Sequence, residues 1–171
     1  MTESLFESLP EVPEQISAAN VIARLIDGVG FRYRLATDGL KETELEFRPA
    51  PTSMNLYELL IHIYDLAFVA DSTLGGPTSH KKGSLKSFLD LRNETLMLYE
   101  GLSIRLKSME DSELEAFKVR PGSFSREFPF WFIINGHIAD ALTHIGQINS
   151  WRRMVGNPCP KISVFNGRQL S

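Results

Sequence analysis

Apolar residues recur at intervals of three and four along four stretches of the chain, the mark of helices with one buried face. In the first stretch Ile22, Ile26, Val29 and Tyr33 keep this spacing. Asp38-Gly39 supplies a stop, because glycine accepts the left-handed backbone that closes a helix. The pattern predicts a helix over about 14–38, weakened in its middle by Gly28 and Gly30. Pro49 and Pro51 make residues 40–53 a connection. Asn55 and Glu58 then form a capping box, and Leu56, Leu59, Leu60, Ile63, Leu66, Ala67 and Ala70 give a second helix its apolar face, up to Gly75-Gly76-Pro77. Ser84 is the expected cap of a third helix, with Leu85, Leu89, Leu96, Tyr99 and Leu106 on one side and an end near Met109. Residues 114–127 alternate around Pro121-Gly122, which predicts a short β-hairpin before the last helix. That helix is expected from Phe128 to Val155, where Gly156-Asn157-Pro158 stops it.

Four long amphipathic helices predict an all-α chain, a four-helix bundle with long connections. The expected organisation is a single domain over 1–171, with a loose lead-in at 1–13 and an extended tail at 157–171.

Composition narrows the function classes. Hydrophobic residues at 43% and charged residues at 23% are an ordinary globular balance. A net charge of −3 and the absence of a basic run exclude electrostatic binding of nucleic acid. No apolar run is long enough to span a bilayer, and the acidic N-terminus has no signal-peptide pattern. One cysteine, Cys159, rules out an internal disulfide framework. The expectation is a cytoplasmic protein without membrane or nucleic-acid partners.

Three polar residues break the apolar face of the last helix: His137, Asp140 and His144. At about 100° per residue they share one stripe with Phe130, Ile133, Ile148 and Trp151, so the stripe is expected to face the core. Buried imidazoles and carboxylates need partners. Asp140 and His144, at i and i+4, lie about 6 Å apart along the axis, within reach of one metal ion. His62 on the second helix, flanked by Leu59, Ile63 and Leu66, is the expected third ligand. Two imidazoles and a carboxylate leave coordination positions open for water or substrate. His137, about 10.5 Å from His144 along the axis, is assigned to contacting substrate or moving a proton. Gln147, one turn past His144, can orient that ligand, and Asp65 can hold the His62 ring in one tautomer. Without an ion the same residues would form a buried hydrogen-bonded network, and the spacing leaves both readings open.

Two segments resemble a known family. FRPAPTSMNLYELLIHIYD is similar to the stretch of DinB-like (YfiT-like) proteins in which an Arg-Pro pair and a capped helix lead to an inward histidine. THIGQINSWRRMVGNPCP is similar to that family's last-helix signature, and the resemblance runs from about residue 16 to 168. It implies a four-helix bundle, often a homodimer, with a metal held by one His of the second helix and a His-x3-His pair of the last. His62 and His144 fall on the outer positions; Asp140 stands where the family has its middle histidine. A carboxylate there shifts preference toward harder ions, leaving nickel, zinc, iron or manganese open. The resemblance further implies thiol S-transferase-like chemistry on a small-molecule substrate, with a low-molecular-weight thiol as cosubstrate. A non-catalytic dimeric bundle serving as a small-ligand binder or scaffold is the other expectation.

Overall fold

The structure, a computed structural model, describes residues 5–85, 87–119, 127–163 and 166–169. It is predominantly helical: α1 (Ala18–Thr37), α2 (Leu56–Thr73), α3 (Phe88–Lys107), a short α4 (Asp111–Ala116) and α5 (Ala139–Met154). Two antiparallel hairpins join them. Strand β1 (Lys118–Val119) pairs with β2 (Phe128–Pro129), and β3 (Ile162–Ser163) pairs with β4 (Arg168–Gln169). One hydrophobic core draws on every long helix, with Ile26, Leu60, Leu96 and Ile148 almost fully buried. No helix is long and apolar enough to cross a membrane among the described residues.

Caps set the helix boundaries, and several differ from expectation. Helix α1 begins at Ala18 rather than near 14, because two acceptors meet its first turn. The Ser17 hydroxyl accepts from the Asn20 N–H, and the Asp111 carboxylate accepts from Ala18 and Ala19. Those two backbone donors hold the Asp111 carboxyl below its ordinary range. For α3 the cap is Ser87, not Ser84; its hydroxyl accepts from the Asp90 N–H, and Ser84 closes a 3-10 turn instead. Leu89, expected on the buried face, lies in the first turn of α3 and is exposed. Helix α4 takes up 114–116, which were expected to be extended. The hairpin before the last helix is present, with Val119 opposite Phe128, while its Pro121-Gly122 turn lies outside the described residues.

The lead-in is not loose over residues 5–13. Phe6 is buried, and Arg34 donates to the Leu5 carbonyl at 2.9 Å. A Cβ on Gly30 would stand 2.6 Å from the Phe6 ring, so this mid-helix glycine makes room for the aromatic that pins the N-terminal segment. In the tail, a hairpin replaces a plain extended strand.

The largest departure is in the last helix. Phe128 and Pro129 belong to β2, and the helix opens at residues 131–132 and passes through a π-turn, Ile133–Ile138, before α5. Two adjacent β-branched residues followed by Asn135-Gly136 are a weak α-helical sequence, which favours such a widened turn.

Candidate metal centre

The π-turn divides the polar stripe. Counting 100° per residue from His137 fails across it, because a π-turn inserts extra chain per turn and slips the phase of everything before it. His137 is turned inward, 7% exposed. Asp140 and His144 keep regular α geometry and stay together at the seam between α2 and α5. Their side chains are 43% and 15% exposed, and that of His62 is 34% exposed. The expectation of a core-facing stripe therefore holds for His137 and is corrected for the others, which line a rim open to solvent.

Local structure positions each of them. His62 sits in the second turn of α2, whose start is fixed by the capping box. The Asn55 side chain accepts from the Glu58 N–H at 2.8 Å, and Glu58 accepts from the Asn55 N–H at 2.7 Å. Arg48 binds the Ser53 carbonyl and reaches Glu58 at 3.4 Å, tying the preceding loop to that cap. Helix α5 is held at its far end by Trp151 against Phe47 and by Arg152 on the end of α1.

His62 Nε2 lies 3.0 Å from Asp140 Oδ2, and His144 Nε2 lies 3.4 Å from Asp140 Oδ1. The two imidazoles are nearly perpendicular, with centroids 4.8 Å apart. One ligand atom from each residue falls within 4.8 Å of the others, so the group could hold a metal ion. The donor set fits a divalent transition metal: two imidazole nitrogens and a carboxylate oxygen, partly open to solvent. His144 Nδ1 stands 2.8 Å from Gln147 Oε1. An amide oxygen only accepts, so Nδ1 carries the proton and Nε2 is left bare toward the cluster. The opposite holds for His62, whose Nε2 faces a carboxylate and donates to it. Metal binding there would displace that proton.

Asp65 does not orient His62. Its carboxylate accepts from His80 at 2.9 Å and from Lys82 at 2.8 Å. The loop between α2 and α3 folds back over α2, where the His80 ring packs edge-on against Tyr64 and Phe68. His80 is therefore a partner of Asp65 rather than a freely solvated loop residue. Cys159 is half-buried beside Asn149, and burial pushes its thiol up, which disfavours the thiolate.

His137 stands outside the three-residue cluster but is next to it. It lines a cavity of about 410 Å³ together with Asp140, Leu66, Phe132, Asn135 and Thr143. Its Nδ1 is sealed without a hydrogen-bond partner. Burial lowers its pKa, with the Phe132 backbone and the Asp140 charge opposing, so the ring is held neutral. On the other side of the cluster His62 opens onto a second cavity, lined also by Met54, Glu58 and Ile61. The cavity beside His137 was not legible in the sequence. Its one signal is the Ile-Ile-Asn-Gly run that forms the π-turn. Comparison with known protein families, curated proteins and solved structures gives no match for this chain.

Proposed function

We propose that this protein is a metal-dependent enzyme of DinB-like type, built on a four-helix bundle, that acts on a small electrophile with thiol S-transferase-like chemistry. The observation that carries the reading is the convergence of His62, Asp140 and His144 within 4.8 Å from two separate helices. Gln147 supports it by presenting His144 Nε2 unprotonated. When bound, a divalent ion would supply the positive charge that lowers the pKa of a thiol or water near neutral pH.

The chain's own residues do the rest. The apolar walls of Leu66 and Phe132 take the body of the substrate and exclude water from it. Asn135 and Thr143 offer polar contacts that orient it. His137 is neutral, and with Nδ1 sealed its Nε2 is the atom that accepts a proton from the incoming nucleophile.

A second reading rests on the 3.0 Å contact between His62 and Asp140, which already gives the network an internal partner. On that reading the site is a metal-free polar seam in a ligand-binding or scaffold bundle. Metal analysis of protein purified without an affinity tag separates the two. The enzyme reading expects close to one equivalent of zinc, nickel, iron or manganese, as purified or after incubation. Less than about a tenth of an equivalent under every condition sinks it.

A further inference from the structure

A third cavity, of about 390 Å³, lies between α1, the end of α5 and the segment after it. Three elements each deliver one cation to it: Arg32 from α1, Arg153 from the last turn of α5, and Lys161 from beyond Pro160. No carboxylate lines it. Many basic side chains elsewhere have acidic partners: Arg24 and Lys107 on Asp27, Arg34 on Glu7, Arg48 on Glu58, Lys81 on Glu94, Lys82 on Asp65, Arg105 on Asp71. Lys41 and Lys118 make no ion pair among the described residues but stand apart from each other, and Arg152 is taken up by carbonyls. Among the described residues, Arg153 and Lys161 have no carboxylate partner, and Arg32 reaches only the Gly28 carbonyl of its own helix, at 3.2 Å. A chain of net charge −3 thus gathers three uncompensated positive charges around one hollow.

The dipole at the C-terminal end of α5 accounts for one cation in its last turn. It does not account for a cation from another helix and one from the tail, nor for the cavity between them. Like charges placed together without counter-charge oppose folding, and a low-dielectric hollow lined by one sign concentrates the field on whatever enters it. We infer that this cavity is a binding site for a small phosphate-bearing molecule, held by the Arg32 and Arg153 guanidinium groups and the Lys161 ammonium. Guanidinium groups match phosphate oxygens in pairs, and the ammonium adds a point charge. The volume suits a small organic phosphate or a diphosphate. Leu35 gives one wall an apolar surface, and the amide of Asn149 adds a polar group beside the Cys159 thiol. Asn149 follows His144 by five residues, about 140° around α5, so the cavity faces away from the metal cluster.

The test is isothermal titration of the full chain with pyrophosphate and, separately, with ribose 5-phosphate, in excess EDTA and at constant ionic strength. Chelation makes the outcome independent of whether the metal reading stands. At least one of the two is expected to saturate a single site with Kd below about 1 mM, and the tighter one identifies the source as a diphosphate or an organic monoester. Acetate at the same ionic strength is expected not to compete. Arg153→Gln and Lys161→Gln should each weaken binding about tenfold. The double variant should abolish it while melting no lower than the parent, because it relieves repulsion. The proposal is overturned if neither phosphate saturates, if acetate competes equally, if the double variant still binds, or if it melts lower than the parent.

Discussion

Helix α5 carries a polar cluster at each end, and the two are built in opposite ways. At the C-terminal end Arg152 is 2% exposed and directs its guanidinium at fixed acceptors. Nη1 donates to the carbonyls of Ala36 (3.0 Å) and Asp38 (2.7 Å), where α1 runs out of internal partners, and Nε donates to the Asn157 carbonyl at 2.8 Å. Asn157 in turn donates to the Gly39 carbonyl and to Glu44. Burial alone would raise the Glu44 carboxyl, but the Lys41 N–H, Asn157 and nearby cations outweigh it and hold the carboxyl low. At the other end, Asp140 and His144 meet His62 with their lone-pair atoms facing a common point, half open to solvent. Donors matched to backbone acceptors lock two helices together. At the open end the acceptors of Asp140 and His144 outnumber the single proton that His62 donates, which leaves room for a cation. Burial and saturation therefore mark the stabilising cluster, and convergence with exposure marks the one that could hold an ion.

That distinction breaks most visibly at Arg152. Arg152→Ala strands the last carbonyls of α1 and is expected to cost about 3–5 kcal/mol in urea unfolding. Arg152→Lys keeps the charge but loses the planar fork, at roughly 2 kcal/mol. Metal bound per folded molecule should not change in either. A loss of under about 1 kcal/mol for the alanine variant would mean that Arg152 does not lock α1 to α5.

His144→Ala is the mirror experiment. The ring is at the rim, so unfolding free energy should move by less than about 1 kcal/mol, with helical content unchanged. Metal affinity should fall more than about 100-fold, since two ligands replace three. If the variant unfolds as readily as Arg152→Ala, the two ends of α5 do not differ as argued.

Gln147→Leu tests the same cluster one step out. Freed of its acceptor, His144 can place its proton on either nitrogen, and metal affinity should drop about tenfold by competition titration. Asp65→Asn is its control. Asp65 answers to His80 and Lys82, so metal affinity should stay put.

How much of this could be read from residue order follows from where the interactions lie. The convergence of His62, Asp140 and His144 was legible because i, i+4 spacing within α5 and the register of His62 in a capped α2 are local. The helices were legible for the same reason, and the α2 cap most of all, since Asn55 and Glu58 satisfy each other within one turn. Helix α1 was misplaced at its start because part of its cap, Asp111, comes from more than ninety residues away. Arg152 carries no local sign of its role, because Ala36 and Asp38, whose carbonyls it holds, lie more than a hundred residues away. The division of the polar stripe was missed because the π-turn changes the helical period that the stripe was counted with. Asp65 was assigned to the nearest histidine in sequence, whereas the loop bearing His80 folds back onto it.

A buried polar atom that is neither saturated nor convergent gives the comparison its zero point. Tyr99 is 3% exposed at the α1–α3 interface, edge-on to Tyr33 at 6.3 Å, and its hydroxyl has no partner. Removing that oxygen strands no partner, so Tyr99→Phe should lie within about 1 kcal/mol of the parent at neutral pH, on the stabilising side if anything. The hydroxyl shows itself only in alkali. Burial, with Tyr33 beside it, pushes the Tyr99 phenol well above its ordinary 10.0. Above pH 10 the unfolded chain releases this proton while the folded chain keeps it, so the unfolded state binds fewer protons and stability falls as pH rises. One such group contributes a slope of at most about 1.4 kcal/mol per pH unit. Tyr99→Phe removes that slope, leaving the shares of Tyr33, whose phenol burial pushes up to about 12, and of Tyr64, whose phenol burial also raises. Urea midpoints between pH 9 and 11 should therefore fall less steeply for the variant than for the parent. Parallel curves would show that the Tyr99 hydroxyl reaches water, and that an unpartnered atom at this interface is not the neutral reference against which the two clusters of α5 are set.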